Sequence, residues 1–477
     1  MIRMDRRLRD SLQQQLYQQI RSATMSGALT AGVRLPSTRD LVRQLGLSRN
    51  TIVYAFDRLV SEGYLESRLG SGIYVAQLPG MNTTSISSSR SYAASSARSA
   101  ISARLATLSE ITTSPTYPGS KIRPFRPCQP AIDRFPMRNW NRARSYALRL
   151  QAKELMCEVD VGGLPRLCRA LATYLRDSRG VRCEAEQIVI TAGAQEALSL
   201  IAGSLIERDD QVWIEDPGYL GARAAFSRTG AMLVPVPVDA EGLTIPVLKR
   251  KPRLIYTTPS RQFPSGVTMS LSRRLALLEF ARTSGAWIIE DDYDSEFRYV
   301  GRPTPSLQGL DHGGSVIYVG SFSKVLFASL RLGYIVAPPG LVTLFRKLKE
   351  IGSASCPAID QATTALFIEE GFFATHVRRM RKLYYQRRDS FLHEAKKYLS
   401  GSIELPPIEA GMDVMGRLRR GASDTELSRR FRTAGIDAPP LSVYSLQPCE
   451  PGLVFGFTAY TPTQIRSAMQ SLSNLAN

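Results

Sequence analysis

The sequence predicts two joined folds: a small three-helix unit closed by a β wing, and a large α/β domain with a mostly parallel sheet and a smaller C-terminal α+β lobe. Three observations predict them. Residues 1–76 carry short amphipathic helices separated by glycine and serine punctuation. Residues 77–120 are rich in Ser, Ala and Arg, with little to build a core. From 121 to 477, short β-branched runs alternate with helical patterns, the signature of a parallel sheet.

In the first unit, Leu12, Leu16, Ile20 and Ala23 share one face of a helix predicted over residues 12–26. A second helix follows Pro36, capped by Ser37, and stops at Gly46. Ser48 caps a third, with Ile52, Val53, Phe56, Leu59 and Val60 turned inward. Two short helices joined by so tight a turn form a helix-turn-helix. Tyr64–Arg68 and Ile73–Val75, around Leu69–Gly72, form the wing hairpin. Ser48, Arg49, Asn50 and Thr51 open the third helix, whose first residues read base edges in the major groove. Arg34, Arg39 and Arg43, with Arg68 on the wing, are placed to contact phosphates, and Ser37 is a further candidate DNA contact.

The segment 77–120 reads as a flexible linker with an end-to-end distance of roughly 35–40 Å. In the large domain, QIVIT, QVWIE, RLIYTT, AWIIEDD and SVIYVGS are the strands, and AQEALSLIAGSLI is a helix after the first. The pattern turns helix-rich near the end, with a late hairpin, which predicts the smaller lobe.

Composition narrows the function. The formal charge of +19 favours a polyanionic partner, nucleic acid first. The six Cys are scattered, with no CxxC, and only three His are present, so neither a disulfide scaffold nor a metal site is predicted. The charged N-terminus and the interrupted apolar stretch 188–206 predict neither a signal peptide nor a membrane span, and so a cytoplasmic protein.

The chain has ten Lys against 51 Arg. Lys153, Lys347, Lys349, Lys382, Lys396 and Lys397 lie in helical, charge-rich text and read as solvated. Lys324 follows the strand Val316–Val319 among small hydroxyl residues, Gly320-Ser-Phe-Ser-Lys324. A lysine there faces a pocket and suits a Schiff base with a carbonyl cofactor. Pyridoxal phosphate further needs a carboxylate for its pyridine nitrogen. Asp291 and Tyr293 point to one side by two-residue alternation, the one toward that nitrogen and the other toward the ring oxygen. Its phosphate needs N–H groups at a helix N-terminus, which Gly193, Ala194 and Gln195 supply, with Ser321, Ser323 and Arg331 as further donors. Tyr219 is the candidate to stack on the ring.

Residues 35–75, LPSTRDLVRQLGLSRNTIVYAFDRLVSEGYLESRLGSGIYV, closely resemble the winged helix of GntR-type transcription regulators. The resemblance implies that Arg39, Arg49, Asn50, Thr51 and the wing around Gly70 contact DNA. ITAGAQEAL, EDPGY, TTPSRQFPSG, IIEDDYDSEFRY and SFSKVL resemble fold-type I aminotransferases, and more closely the aminotransferase-like domain of the MocR subfamily. The resemblance implies Lys324 as the covalent anchor of pyridoxal phosphate, with Asp291, Tyr293, Tyr219 and the phosphate residues in the roles above. It further implies a domain-swapped homodimer on a double-stranded operator.

The sequence departs from the aminotransferase pattern. Val454 stands where an Arg for the substrate carboxylate is expected, Phe263 replaces Asn before Pro264, and Arg261 occupies a position often held by His. Efficient transamination is therefore not expected. An effector carboxylate, if present, falls to Arg223 or Arg261. The expected function is a regulator sensing an amine or amino-acid effector. The alternatives are a DNA-binding aminotransferase and a pyridoxine-biosynthesis regulator with pyridoxal phosphate as sole effector.

Overall fold

The computed structural model describes residues 4–5, 10–68, 70–77, 122–247, 250–301, 304–419 and 422–473. They form two compact units. Apart from Gln77, the expected linker lies outside the described residues.

The first unit contains α1 (Leu12–Met25), α2 (Thr38–Leu45), α3 (Arg49–Ser61), β1 (Leu65–Arg68) and β2 (Gly72–Val75). The caps are those the sequence implies. Ser37 Oγ accepts from the Asp40 N–H at 3.2 Å, and Ser48 Oγ from the Thr51 N–H at 3.2 Å. Each satisfies an N–H that the first helical turn leaves without a partner. Leu16, Ile20, Leu41, Ile52, Phe56 and Leu59 close the core, with Val53 and Val60 half-buried at its edge. β1 and β2 pair antiparallel, Leu65 opposite Val75 and Arg68 opposite Gly72.

The second unit is built on an eight-stranded sheet. Its strands are β3 (Ile188–Thr191), β4 (Gln211–Asp216), β5 (Met232–Asp239), β6 (Gly242–Leu243), β7 (Leu254–Thr257), β8 (Trp287–Asp292), β9 (Val316–Ser321) and β10 (Gly333–Val336). The order is β3-β10-β9-β8-β7-β4-β5-β6. The strands from β9 through β5 run parallel; β10 is antiparallel to both neighbours, and β6 folds back on β5. The sheet is thus mostly parallel, as expected, with β6 and β10 its two antiparallel strands. Connecting helices include α4 (Met137–Leu155), α5 (Pro165–Arg179), α6 (Ala194–Leu205), α7 (Leu220–Ser227), α8 (Leu271–Ser284), α9 (Leu307–Leu310), α10 (Pro339–Gly352), α11 (Ala358–Glu369) and α12 (Phe372–Tyr398). Apolar cores cover both sheet faces.

The C-terminal lobe holds β11 (Ile403–Glu404), β12 (Asp413–Leu418) and β13 (Gly452–Gly456) in one antiparallel sheet, with α13 (Asp424–Thr433) and α14 (Pro462–Ser473). Phe125, Phe391, Phe455 and Tyr460 pack edge to face in its core. Among the described residues no helix is long and apolar enough to cross a membrane.

Candidate functional sites

Ligands of open α/β sheets bind beyond the carboxyl ends of the strands. Here β3, β4, β7, β8 and β9 deliver residues from those ends into one cavity of about 310 Å³. It is lined by Gly193, Ala194 and Gln195 after β3, Tyr219 after β4, Asp291 and Tyr293 at β8, and Ser321, Ser323 and Lys324 at β9. Arg331 completes the set. All ten residues picked from sequence for the cofactor thus meet in one place.

β8 shows how the strand sorts three consecutive acids. Glu290 and Asp292 face one way. Glu290 accepts from the N–H groups of Leu307 and Gln308 at 2.9 and 2.8 Å, and Asp292 pairs with Arg179 at 2.7 Å and Tyr318 Oη at 2.6 Å. Asp291 faces the cavity alone. Its Oδ2 accepts from Tyr256 Oη at 2.7 Å, and burial pushes the carboxyl up to about 7. The two-residue alternation read from sequence is the cause: Tyr293, two positions on, lines the same cavity.

The turn after β3 is shaped for an anion. Gly193 has φ +95°, and a Cβ there would stand 4.0 Å from Arg331 Nη1. The first N–H groups of α6 have no carbonyl of their own helix to bond. Gln195 departs from expectation in detail: its Nε2 donates to the Gly221 carbonyl at 3.0 Å, so the side chain fastens α7 to α6. The Ser323 N–H donates to Ser321 Oγ at 3.2 Å, which holds the β9 turn. Lys324 Nζ donates to the Cys128 carbonyl at 3.2 Å.

Two expectations are corrected. Lys349 is not solvated: it is 1% exposed, and its Nζ binds Glu196 Oε1 at 2.8 Å. Glu196 also accepts from the Ala192 N–H, so this pair braces the Gly193 turn from behind. A reading by charge content misses that α10 packs this face against α6. Nor is Arg261 available to an effector carboxylate. It is buried, with Nη1 on Asp294 at 3.2 Å and on Tyr293 Oη at 2.8 Å, Nη2 on Asp413 Oδ1 at 2.8 Å, and Nε on the Ala410 carbonyl at 3.2 Å. Two carboxylates already neutralise it. Arg223 lines a separate, smaller cavity with Asp216, Tyr256 and Tyr444.

Sequence reading missed several residues here. Tyr256 holds Asp291; its place near the end of RLIYTT, on the strand paired with the one that carries the acids, was the available signal. Cys128 has no such signal, because it reaches Lys324 across 196 positions of chain. Its thiol donates to Asp413 Oδ2 at 3.1 Å, and burial pushes it well above the usual thiol range. Val454 is fully buried, in an apolar cluster with Leu220, Phe263 and Tyr444 beside the cavity.

In the first unit, Arg34, Ser37, Arg39, Ser48, Arg49, Asn50, Arg68 and Gly70 are exposed, and Thr51 is half-exposed. Ser37, Ser48 and Thr51 spend hydroxyl bonds on capping. Arg68 bonds Glu66 through Nε at 3.0 Å and covers the Tyr74 ring at 4.4 Å. Arg49 and Asn50 therefore lead the exposed tip of α3. Tyr54, 56% exposed and one turn beyond Asn50, joins that surface, and its i+4 spacing was legible.

The family described as "Bacterial regulatory proteins, gntR family" matches residues 12–75, and "Aminotransferase class I and II" matches 133–472. The chain is 40% identical over 474 residues to the probable rhizopine catabolism regulatory protein MocR of Rhizobium meliloti, spanning 99% of this chain and 95% of the relative. It is 30% identical over 476 residues to the pyridoxine biosynthesis transcriptional regulator PdxR of Corynebacterium glutamicum, spanning 97% and 96%. Pyrococcus horikoshii kynurenine aminotransferase, solved in complex with PMP, superposes with a TM-score of 0.70 at 26% identity, over 75% of this chain and 91% of that one. The chain therefore belongs to the MocR-type transcription regulators, in which a GntR winged helix is joined to an aminotransferase-like domain of class I and II.

Proposed function

We propose that this regulator binds pyridoxal phosphate in the cavity around Lys324 and changes its hold on an operator when a small amine enters that cavity. The observation that carries the reading is the meeting of Lys324, Asp291, Tyr293, Tyr219 and the Gly193 turn in one cavity. The donor set fits the cofactor. Asp291 is a buried carboxylate with a neutral partner, Tyr256, and suits a protonated ring nitrogen. The turn with Arg331, Ser321 and Ser323 suits a dianionic phosphate. Tyr219 suits stacking, and Tyr293 the ring oxygen. When bound, the cofactor would supply an aldehyde carbonyl that combines reversibly with primary amines, and Lys324 would be the side chain that holds it.

On the DNA side, Arg34, Arg39 and Arg68 would contact phosphates, and Ser48, Arg49, Asn50 and Thr51 base edges, with Gly70 letting the wing approach the backbone. A homodimer on two half-sites follows from this reading. Steady turnover of amino acids is not part of it, because Val454 and the neutralised Arg261 leave the carboxylate of such a substrate without a partner. A second reading, in which the cofactor is itself the signal, is favoured by the likeness to PdxR. Operator affinity that changes between stripped and loaded protein with no amine added would select it.

The test of the cofactor is the absorbance of the purified protein after incubation with pyridoxal phosphate and gel filtration. A visible band in the wild type that is lost or displaced in Lys324→Ala is expected. A protein that stays colourless contradicts the reading.

A further inference from the structure

The cavity's lining falls into two chemically different groups. At the Gly193 turn lie Arg331 and the hydroxyls of Ser321 and Ser323. Another part of the lining is aromatic and aliphatic. Leu220, Phe263, Tyr444 and Val454 pack as one cluster, flanked by Tyr219, Tyr293 and Cys128. Phe263 is its hub: the rings of Tyr444, Tyr293 and Tyr219 stand edge to face around it at 5.2, 6.0 and 6.3 Å.

Charge is distributed just as unevenly. Among the described residues lining the cavity, the cationic side chains are Lys324 and Arg331. On the reading above, the first holds the cofactor and the second its phosphate. Arg261 lies behind Tyr293 and already carries Asp294 and Asp413. The remaining charged group is Asp291, an acid. A ligand carboxylate placed against the Phe263 wall would lose its water and gain no cation, and an unpaired buried charge is costly. An apolar body placed there loses water at a gain, and meets aromatic edges. The room is small, because about 310 Å³ must hold the cofactor as well.

The geometry points to a ligand class: a small primary amine with an uncharged, apolar body, alkyl or arylalkyl, in preference to the α-amino acid of the same side chain. This rests on the cofactor reading of the same site. Phe263, which lines the cavity, is the specificity residue, and the fully buried Val454 packs in the same apolar cluster without adding a cation to it. Phe263 offers the body its ring.

The experiment uses full-length protein loaded with pyridoxal phosphate and follows the visible band. Matched pairs are titrated: 3-methylbutylamine against L-leucine, and 2-phenylethylamine against L-phenylalanine, compared at equal concentrations of unprotonated amine. The inference expects each amine to half-saturate the spectral change at least tenfold below its amino acid. It expects Phe263→Ala to reduce the 2-phenylethylamine advantage. Amino acids that act at equal or lower concentration overturn it, as does a band that neither partner of a pair moves. If the loaded wild type shows no band, or one indifferent to Lys324→Ala, the cofactor reading itself has failed; a Lys324-dependent band with the reverse preference sinks this inference alone.

Discussion

Replacing Asp291 by Asn tests the electrostatics of the site without the cofactor. Burial pushes this carboxyl up to about 7, against an ordinary value near 4 in the unfolded chain. Between those two values the folded state holds a proton that the unfolded state has released. Stability is therefore lost as pH rises through that window, by about 4 kcal/mol in all at ~1.36 kcal/mol per pH unit. About 2 kcal/mol of the loss falls between pH ~5.5 and pH ~8. Asn carries no charge but still accepts from Tyr256 Oη. The stability of Asp291→Asn relative to wild type should thus improve by about 2 kcal/mol over that interval in stripped protein. Urea unfolding followed by tryptophan fluorescence measures it, because Trp140, Trp213 and Trp287 all lie in the second unit. Loading the wild type with cofactor should flatten its pH dependence, since a protonated ring nitrogen pulls the carboxyl down again. A stability difference that does not change with pH, or that moves against Asn as pH rises, refutes the reasoning.

Other outcomes follow from single contacts. Gly411→Ala would set a Cβ 2.0 Å from Arg261 Nε at a φ of +85°, so it should cost at least ~2 kcal/mol of second-unit stability in the same urea assay. Asn50→Ala, at the tip of α3, should cost about 1–3 kcal/mol on the operator and little on unrelated DNA, measured by fluorescence anisotropy. Arg39→Ala should weaken both alike and lower the salt slope by about one.

The sequence made some of this legible and hid the rest for identifiable reasons. Helices α2 and α3 were readable because Ser37, Ser48 and Gly46 mark their ends by local chemistry. The cavity residues were readable because each stands in a short motif at a strand end, and a parallel sheet gathers such ends. The direction of β10 was not, since alternation carries no polarity. Lys349 was misread because a charged residue in a polar helix looks solvated until its partner, Glu196, is found 153 positions away. Arg261 was read as a free cation for the same reason: Asp294 and Asp413 come to it from separate parts of the chain. The Phe263 wall is likewise assembled from four segments, and Val454 and Phe263 left a trace only as departures from the aminotransferase pattern, not as neighbours.

The central claim, that occupancy of the Lys324 cavity governs operator binding, is tested most directly by anisotropy titrations of an operator fragment with cofactor-loaded wild type and Lys324→Ala, each with and without 3-methylbutylamine. The account predicts that the amine changes the affinity of the wild type and leaves that of the variant where it was. Equal affinities for the wild type with and without amine, at concentrations that complete its spectral change, would contradict it.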